Sequence, residues 1–265
     1  QTVVKYGQWE NAVSSYLASV SFVDELIGDL IKALEQHRLI DNTWIVLWSD
    51  HGWHLGEKSH WGKATGWYRS TRVPFLIVPP MGQKQFKKSE QVKNMVNLLD
   101  LAPTMADIAG IPKSPKWEGR SLMPILKQEA ENWEEATLTT FSIGSHTIST
   151  PHWQLISYFD GSDELYDMVN DPNQFFNLAQ QPQKTQMINQ LKKYIPEESR
   201  WNYFIRYKDY KILVPKKGDI QVFDQILEGR NDEDIAAEVP GLVKKILGYI
   251  EENKPQQKKF TIDVL

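Results

Sequence analysis

The chain contains no cysteine. Disulfides, thiolate-ligated zinc and a thiol nucleophile are therefore excluded within it. It has no apolar run long enough to span a bilayer, and its first residues, QTVVKYGQWENAV, lack the apolar stretch of a signal peptide. Charge of one sign is also missing. Lys and Arg number 30 against 34 Asp and Glu, a net of −4, which gives no pull toward nucleic acid or an anionic membrane. What is present is an ordinary globular composition, 41% hydrophobic and 24% charged over 265 residues, enough for one large domain or a domain with a small companion. Ten tryptophans are many, and core and aromatic packing accounts for them before sugar contacts do.

Val13, Tyr16, Leu17, Val20, Val23, Ile27, Leu30, Ile31 and Leu34 recur at three- and four-residue spacing, which predicts an amphipathic helix. After the turn IDNT, residues 44–48 read as a strand apolar on both faces, as in the middle of a covered sheet. A helix followed by such a strand points to an α/β layer architecture. Residues 73–78 predict a second buried strand, and MGQKQFKKSEQVK an exposed basic connection. VNLLDLAPTMADIAGI reads as a short strand running into a helix, with Pro103 tolerable in its first turn and Gly110 at its stop. PKSPKWEGRSLMPIL reads as a loop with a packing segment.

Beyond about residue 135 the texture changes to short strands and turns. Trp153, Tyr166, Asp167, Leu178 and Ala179 fall against Tyr210, Phe223, Asp224, Ile235 and Ala236 at one constant offset. Each stretch reads strand, glycine turn, strand, acidic turn, amphipathic helix. Either a small sheet-plus-helix unit is duplicated, or two similar patterns coincide; two copies are too few for a solenoid.

The densest chemistry lies in WIVLWSDHGWHLGEKSHWGK, residues 44–63. Ligands of open α/β sheets bind beyond the carboxyl ends of strands, and Ser49, Asp50 and His51 stand at such an end. A carboxylate beside an imidazole is half of a metal site. Lys63 is a point charge able to hold an anionic group there, and Gly52, Gly56 and Gly62 let the loop fold back over the site. Taken alone, DHG would equally suit a polar surface loop. His54, Glu57, His60 and Trp67 share the loop, where a pocket lining and a solvated or packing role weigh about equally. Arg72 is expected to pair with a carboxylate as structural support.

The stretch SDHGWHLGEKSHWGKATGWYRSTRVPFLIVPP resembles the second signature region of the type I sulfatases, in the alkaline-phosphatase superfamily, and is most similar to iduronate-2-sulfatase-like members. YLASVSFVDELIGDLIKAL resembles the helix before the metal strand, NLLDLAPTMADIAGI the segment after it, WEGRSLMPIL the loop beyond, and DELYDMVNDPNQFFNLA the C-terminal hairpin and turn. Five separate motifs agree in order over about residues 15–179.

The resemblance implies a sulfatase core, part of a mixed sheet with flanking helices, plus a smaller α+β antiparallel-sheet subdomain. Residues 1–135 would be the C-terminal part of the catalytic α/β domain, 136–196 the small sheet and helix, and 197–265 a second copy of that unit or an extension. It implies a sulfuric ester hydrolase that acts on a sulfated sugar or glycosaminoglycan, using calcium and a formylglycine made from Cys or Ser. Asp50 and His51 match the metal-ligand pair and Lys63 the lysine that contacts sulfate. His54, His60 and Trp67 are carried as candidate substrate contacts. His51 is unusual beside calcium, which prefers oxygen; many sulfatases carry Asn there, and the iduronate-2-sulfatase-like members carry His.

The family's nucleophile motif, Cys or Ser followed by x-Pro-x-Arg, has no match. Ser149-Thr150-Pro151 continues into His152 and Trp153. The chain therefore reads as the C-terminal portion of a sulfatase, inactive alone and expected to pair with an N-terminal portion or to self-associate. A periplasmic, secreted or lysosome-like setting follows from the resemblance. Two alternatives stand beside it. One is a two-metal phosphatase or phosphodiesterase of the same superfamily, with His146 or His152 completing a zinc site. The other is a non-catalytic carbohydrate-binding module.

Overall fold

The computed structural model describes residues 2–83, 85–86, 91–130, 133, 136–142, 144–159, 161–196, 203–207, 210–214, 220–224 and 234–252. The chain divides into two compact units. The first comprises the chain up to Thr137 with Thr150–His152 and Asn173–Phe175; the second comprises Leu138–Ser149, Trp153–Pro172 and the chain from Phe176.

The first unit opens with α1 (Thr2–Lys5) and α2 (Trp9–Gln36). The apolar periodicity produces α2 as expected. It ends where Arg38 turns to φ 57°, with the Leu39 N–H donating to the Leu34 carbonyl at 2.8 Å, the hydrogen-bond pattern of a Schellman stop. Strand β1 (Ile45–Trp48) follows. The chain then makes the short strands β2 (His54–Leu55) and β3 (Trp61–Gly62), the turn of helix α3 (Tyr68–Thr71) and β4 (Phe75–Val78). β1 and β4 pair antiparallel, with Ile45 opposite Val78 and Trp48 opposite Phe75.

The apolar faces of these elements are open. No residue of α2 is buried, and Leu47, Trp48, Leu76 and Val78 are all exposed. Strands that the sequence makes apolar on both faces are thus not covered on both faces here, and among the described residues the strand and helix lack part of their covering layer, as expected of a chain without its N-terminal portion's surface. The apolar pattern marks surface suited to burial, and the described residues of this unit do not supply the layer that would cover it.

NLLD is not a strand either. The Asn97 side chain accepts from the Leu99 N–H at 3.1 Å and the Asp100 carboxylate accepts from the Asn97 N–H at 2.9 Å. This reciprocal cap winds Leu98–Asp100 into a 3-10 turn that leads into α4 (Leu101–Ala109). Gly110, at φ 66°, closes that helix. Asp100 also accepts from the Arg120 N–H, and Thr104 Oγ1 accepts from the Leu122 N–H. These bonds dock the loop that carries α5 (Met123–Leu126), where Leu122 and Ile125 are buried.

The second unit begins with an antiparallel sheet in the order β5 (Thr137–Ser142), β6 (Ser145–Ser149), β7 (Trp153–Ser157), β8 (Asp163–Asp167), followed by α6 (Thr185–Leu191). Ile148, Leu155, Ile156 and Leu165 are fully buried there, with Ile188 and Leu191 of α6 also in the core. A second sheet, β9 (Tyr203–Tyr207), β10 (Tyr210–Val214) and β11 (Gln221–Asp224), precedes α7 (Pro240–Glu252).

The constant offset seen in the sequence is also the offset of the backbone pairing. Trp153 faces Asp167 as Tyr210 faces Asp224, and Ser149 faces Gln154 as Arg206 faces Lys211. The turns match as well. In the first stretch the Leu178 N–H donates to the Leu165 carbonyl, and Asn177 Oδ1 accepts from the N–H groups of Leu165 and Ala179. In the second, Ile235 donates to the Val222 carbonyl, and Asp234 Oδ1 accepts from Val222 and Ala236. The core of the second stretch is Ile212, Val214, Ile220, Val222, Ile235 and Ile246.

Candidate active site

β1 delivers Ser49, Asp50 and His51 to its carboxyl end. The Ser49 N–H still reaches the Pro74 carbonyl at 3.3 Å, and the Gly52 N–H then turns to the Ser70 carbonyl at 2.8 Å. Only glycine fits at 52, because a Cβ there would lie 1.9 Å from the Arg69 carbonyl oxygen. The chain leaves the strand at this close approach, and Asp50 projects with 79% of its side chain exposed.

His51 has a defined tautomer. Its Nδ1 lies 2.9 Å from the Gly52 carbonyl oxygen, which can only accept. Nδ1 therefore carries a hydrogen, and Nε2 faces the site. Lys63 Nζ lies 2.7 Å from Nε2, and Asp50 Oδ2 stands 3.3 Å from the same nitrogen. Carboxylate, imidazole and ammonium thus converge on one point.

Lys63 arrives by way of the β2–β3 hairpin, in which His54 faces Gly62 and Leu55 faces Trp61. The turn needs left-handed backbone at Gly56, Lys58 and Ser59, and the exit at Gly62 and Ala64. Glu57 steadies the turn: its carboxylate accepts from the Leu55 N–H at 2.7 Å and pairs with Arg69 at 3.4 Å. Burial pushes the Glu57 carboxyl up. The hydrogen bonds from its own and the Leu55 backbone N–H, helped by Arg69, outweigh burial and hold it below the usual range. Among the described residues Arg69 pairs with a carboxylate, and Arg72, expected in such a pair, instead lies over the Tyr68 ring at 5.4 Å.

Beneath the hairpin His54 is fully buried. Its Nε2 lies 2.9 Å from Thr65 Oγ1, and its ring meets those of His60 and Trp67 edge-on at 5.1 and 5.7 Å. Burial, then the neighbouring His60, lowers the His54 pKa. The imidazole is thus held neutral within the cluster, with no face open to solvent. His60 Nε2 lies 3.1 Å from the Lys63 carbonyl.

Two contacts that no local sequence signal announces close the loop. Gln174 Oε1 accepts from the Tyr68 N–H at 2.8 Å, and the Gln174 carbonyl accepts from Lys58 Nζ. Of the histidines carried for a zinc site, His146 lies in β6 against Thr140 Oγ1 at 2.9 Å, and His152 is exposed. Among the described residues no group of three or more His, Asp or Glu gathers as metal ligands, so Asp50 and His51 make at most part of a metal site.

Residues 2–111 match the family model for sulfatases. A sulfatase of Formosa agariphila is 30% identical over 215 residues, covering 81% of this chain and 42% of that protein. An N-acetylglucosamine-6-O-sulfatase of Bacteroides thetaiotaomicron is 33% identical over 236 residues, covering 83% of this chain and 40% of that protein. Among solved structures, BT4656 in complex with its substrate D-glucosamine-2-N,6-O-disulfate superposes with a TM-score of 0.55 at 29% identity, covering 67% of this chain and 40% of that one. The chain spans about two fifths of the length of these relatives. The Asp-His strand end, the returning lysine and these matches lead to one assignment: the chain belongs to the sulfatase family, with an alkaline-phosphatase-like fold.

Proposed function

We propose that this chain carries one side of the active site of a sulfatase that hydrolyses a sulfate ester on a sugar. The observation that carries the reading is the convergence of Asp50, His51 and Lys63 at the end of β1. The relatives that act on sulfated glucosamine support the substrate class.

Lys63 supplies a fixed ammonium that can offset the charge on the non-bridging sulfate oxygens while the S–O bond breaks and its electron pair leaves with the bridging oxygen. Asp50 and His51 suit a divalent cation. The carboxylate is exposed, and the Nδ1–H bond to Gly52 leaves Nε2 as the nitrogen that would face a cation, which would take the place of the Lys63 ammonium on Nε2 and free that ammonium for the sulfate. Calcium, the ion the family uses, would take the Asp50 oxygen readily and the His51 nitrogen less so. When bound, such an ion polarises the sulfate oxygens as a Lewis acid. His60 and Trp67 lie along the hairpin as candidates for sugar contact, whereas buried His54 supports them from beneath.

The nucleophile belongs to sequence outside these residues in this reading. The chain has no Cys, and none of its serines carries the Pro and Arg context from which formylglycine is made. The open apolar face of α2, β1 and β4 fits cover by the remaining part of the protein. A periplasmic, extracellular or lysosomal setting belongs to the same reading; among the described residues no helix is long and apolar enough to cross a membrane. The two-metal phosphatase alternative draws no support from His146, which is buried and bonded to Thr140.

The test is Lys63→Ala in the complete protein, assayed on a 6-O-sulfated glucosamine. Turnover should fall by about 10²–10³ with little change in stability. Wild-type turnover would overturn the assignment.

A further inference from the structure

Among the described residues six non-glycine residues have positive φ. Four of them, Lys58, Ser59, Ala64 and Gln174, belong to the hairpin that carries Lys63 or to the turn that touches it. Such backbone persists only where the surroundings over-determine it, and its clustering at one place points to a demand on local geometry.

Gln174 meets that demand at two points. Its side-chain oxygen accepts from Tyr68 N, the first residue of α3, where a helix has no intrahelical acceptor to offer. Its main-chain carbonyl accepts from Lys58 Nζ at the tip of the hairpin, and the same ammonium lies 5.1 Å from the centre of the Trp67 ring. Gln174 is only 2% exposed, and Asn173–Phe175 belong to the same compact unit as the hairpin. One residue thus holds both flanks of the segment 58–68, and Lys63 lies between them. At Lys63 itself, the ammonium bonds His51 Nε2 and the carbonyl faces His60.

We propose that Gln174 is a positioning residue for Lys63: by clamping Lys58 and Tyr68 it sets the register of the hairpin and so the place of the ammonium beside His51. This rests on the reading of Lys63 as the sulfate-contacting group. A displacement of about 1 Å at such a group can cost about a hundredfold in rate, which is the scale of effect open to a clamp.

The experiment uses the complete sulfatase with a 6-O-sulfated glucosamine. Gln174→Gly keeps the left-handed backbone and the carbonyl that receives Lys58, and removes the side-chain acceptor for Tyr68. It should lower kcat by about ten- to a hundredfold and speed hydrogen exchange in the peptide 58–68. Gln174→Glu restores an acceptor oxygen and should return kcat to within about threefold of wild type. In a Lys63→Ala background Gln174→Gly should cost almost nothing further, because residues that act through one another are not additive. Additive losses, or full activity in Gln174→Gly, would overturn the clamp and leave the sulfatase reading standing. Wild-type turnover in Lys63→Ala would overturn both. Should Gln174→Gly fail to fold, Lys58→Met loosens the hairpin tip alone; a smaller kcat loss, absent in the Lys63→Ala background, supports the clamp, and an unchanged or additive kcat overturns it.

Discussion

In β7 and β8 the side chains of Leu155, Ile156 and Leu165 have no exposed surface, whereas along α2 Leu30 is 60% exposed and no residue is buried. Both regions are apolar at the period of their secondary structure. The sheet side chains are buried, as are Ile188 and Leu191 of α6 in the same unit. The helix, with β1 and β4, carries its apolar stripe into the open. The contrast separates two properties that a hydrophobic pattern tends to merge: which face of an element favours burial, and whether the chain holds the surface that buries it.

The strongest way to break the comparison is truncation on each side. Leu155→Ala should destabilise this chain by about 2–5 kcal/mol, the cost of lost transfer energy plus a cavity. Leu30→Ala should stay within about 0.5 kcal/mol, as for a surface change, and alanine suits a helix well. Urea unfolding of the two variants checks this. Equal losses would mean that α2 is already covered in solution, by a second copy or by another segment. On the reading proposed above, in which a further part of the protein covers this face, the Leu30→Ala cost should rise into the core range.

Gly52→Ala sharpens the comparison within the open unit, because there the site loop is tightly packed even though the helix is not. A Cβ 1.9 Å from the Arg69 carbonyl and 2.9 Å from the Arg72 carbonyl forces backbone to move. Overpacking of this kind costs about 1–3 kcal/mol. Thermal unfolding should show the loss, and the sulfatase activity proposed above should fall beyond what the change in stability explains, since Asp50 and His51 immediately precede the displaced residue.

The smallest effect concerns acid. Burial lowers the pKa of His146 in the sheet unit, and burial together with His60 lowers that of His54 beneath the hairpin. A histidine with a folded pKa below its unfolded value near 6.5 favours the native state most at higher pH. That contribution is fully present above the unfolded pKa and is lost as pH falls through the folded one. Unfolding midpoints should therefore drop below about pH 6.5, and His146→Gln should flatten part of that slope, with His54→Gln flattening the other part. A slope unchanged in both variants would remove the two histidines from the acid response.

Much of the layout could be read in advance. The three- and four-residue spacing specified α2, and the apolar run ending in Asp50-His51 specified a strand that delivers polar groups to its end. The offset between the stretches from Trp153 and Tyr210 reappears in the strand registers, because strand pairing and the Asn177 and Asp234 turns are built from local hydrogen bonds. NLLD was misread as a strand, although the Asn97 and Asp100 spacing is itself a capping signal. Arg69 and Arg72 stand three apart, and nothing in the sequence says which of them reaches Glu57.

By itself, then, the sequence determined what short-range chemistry controls: periodicity, caps, the strand end with its Asp-His pair, and the motif order that marks the sulfatase family. Only the tertiary structure decided that Lys63 meets Nε2 of His51, that His54 is closed off under the hairpin, and that Gln174 grips the hairpin from more than a hundred residues away. The physical reason is that tautomer, burial and long-range hydrogen bonding depend on which groups meet in space. A hairpin with left-handed backbone at Lys58, Ser59 and Ala64 brings together groups that spacing along the chain leaves apart.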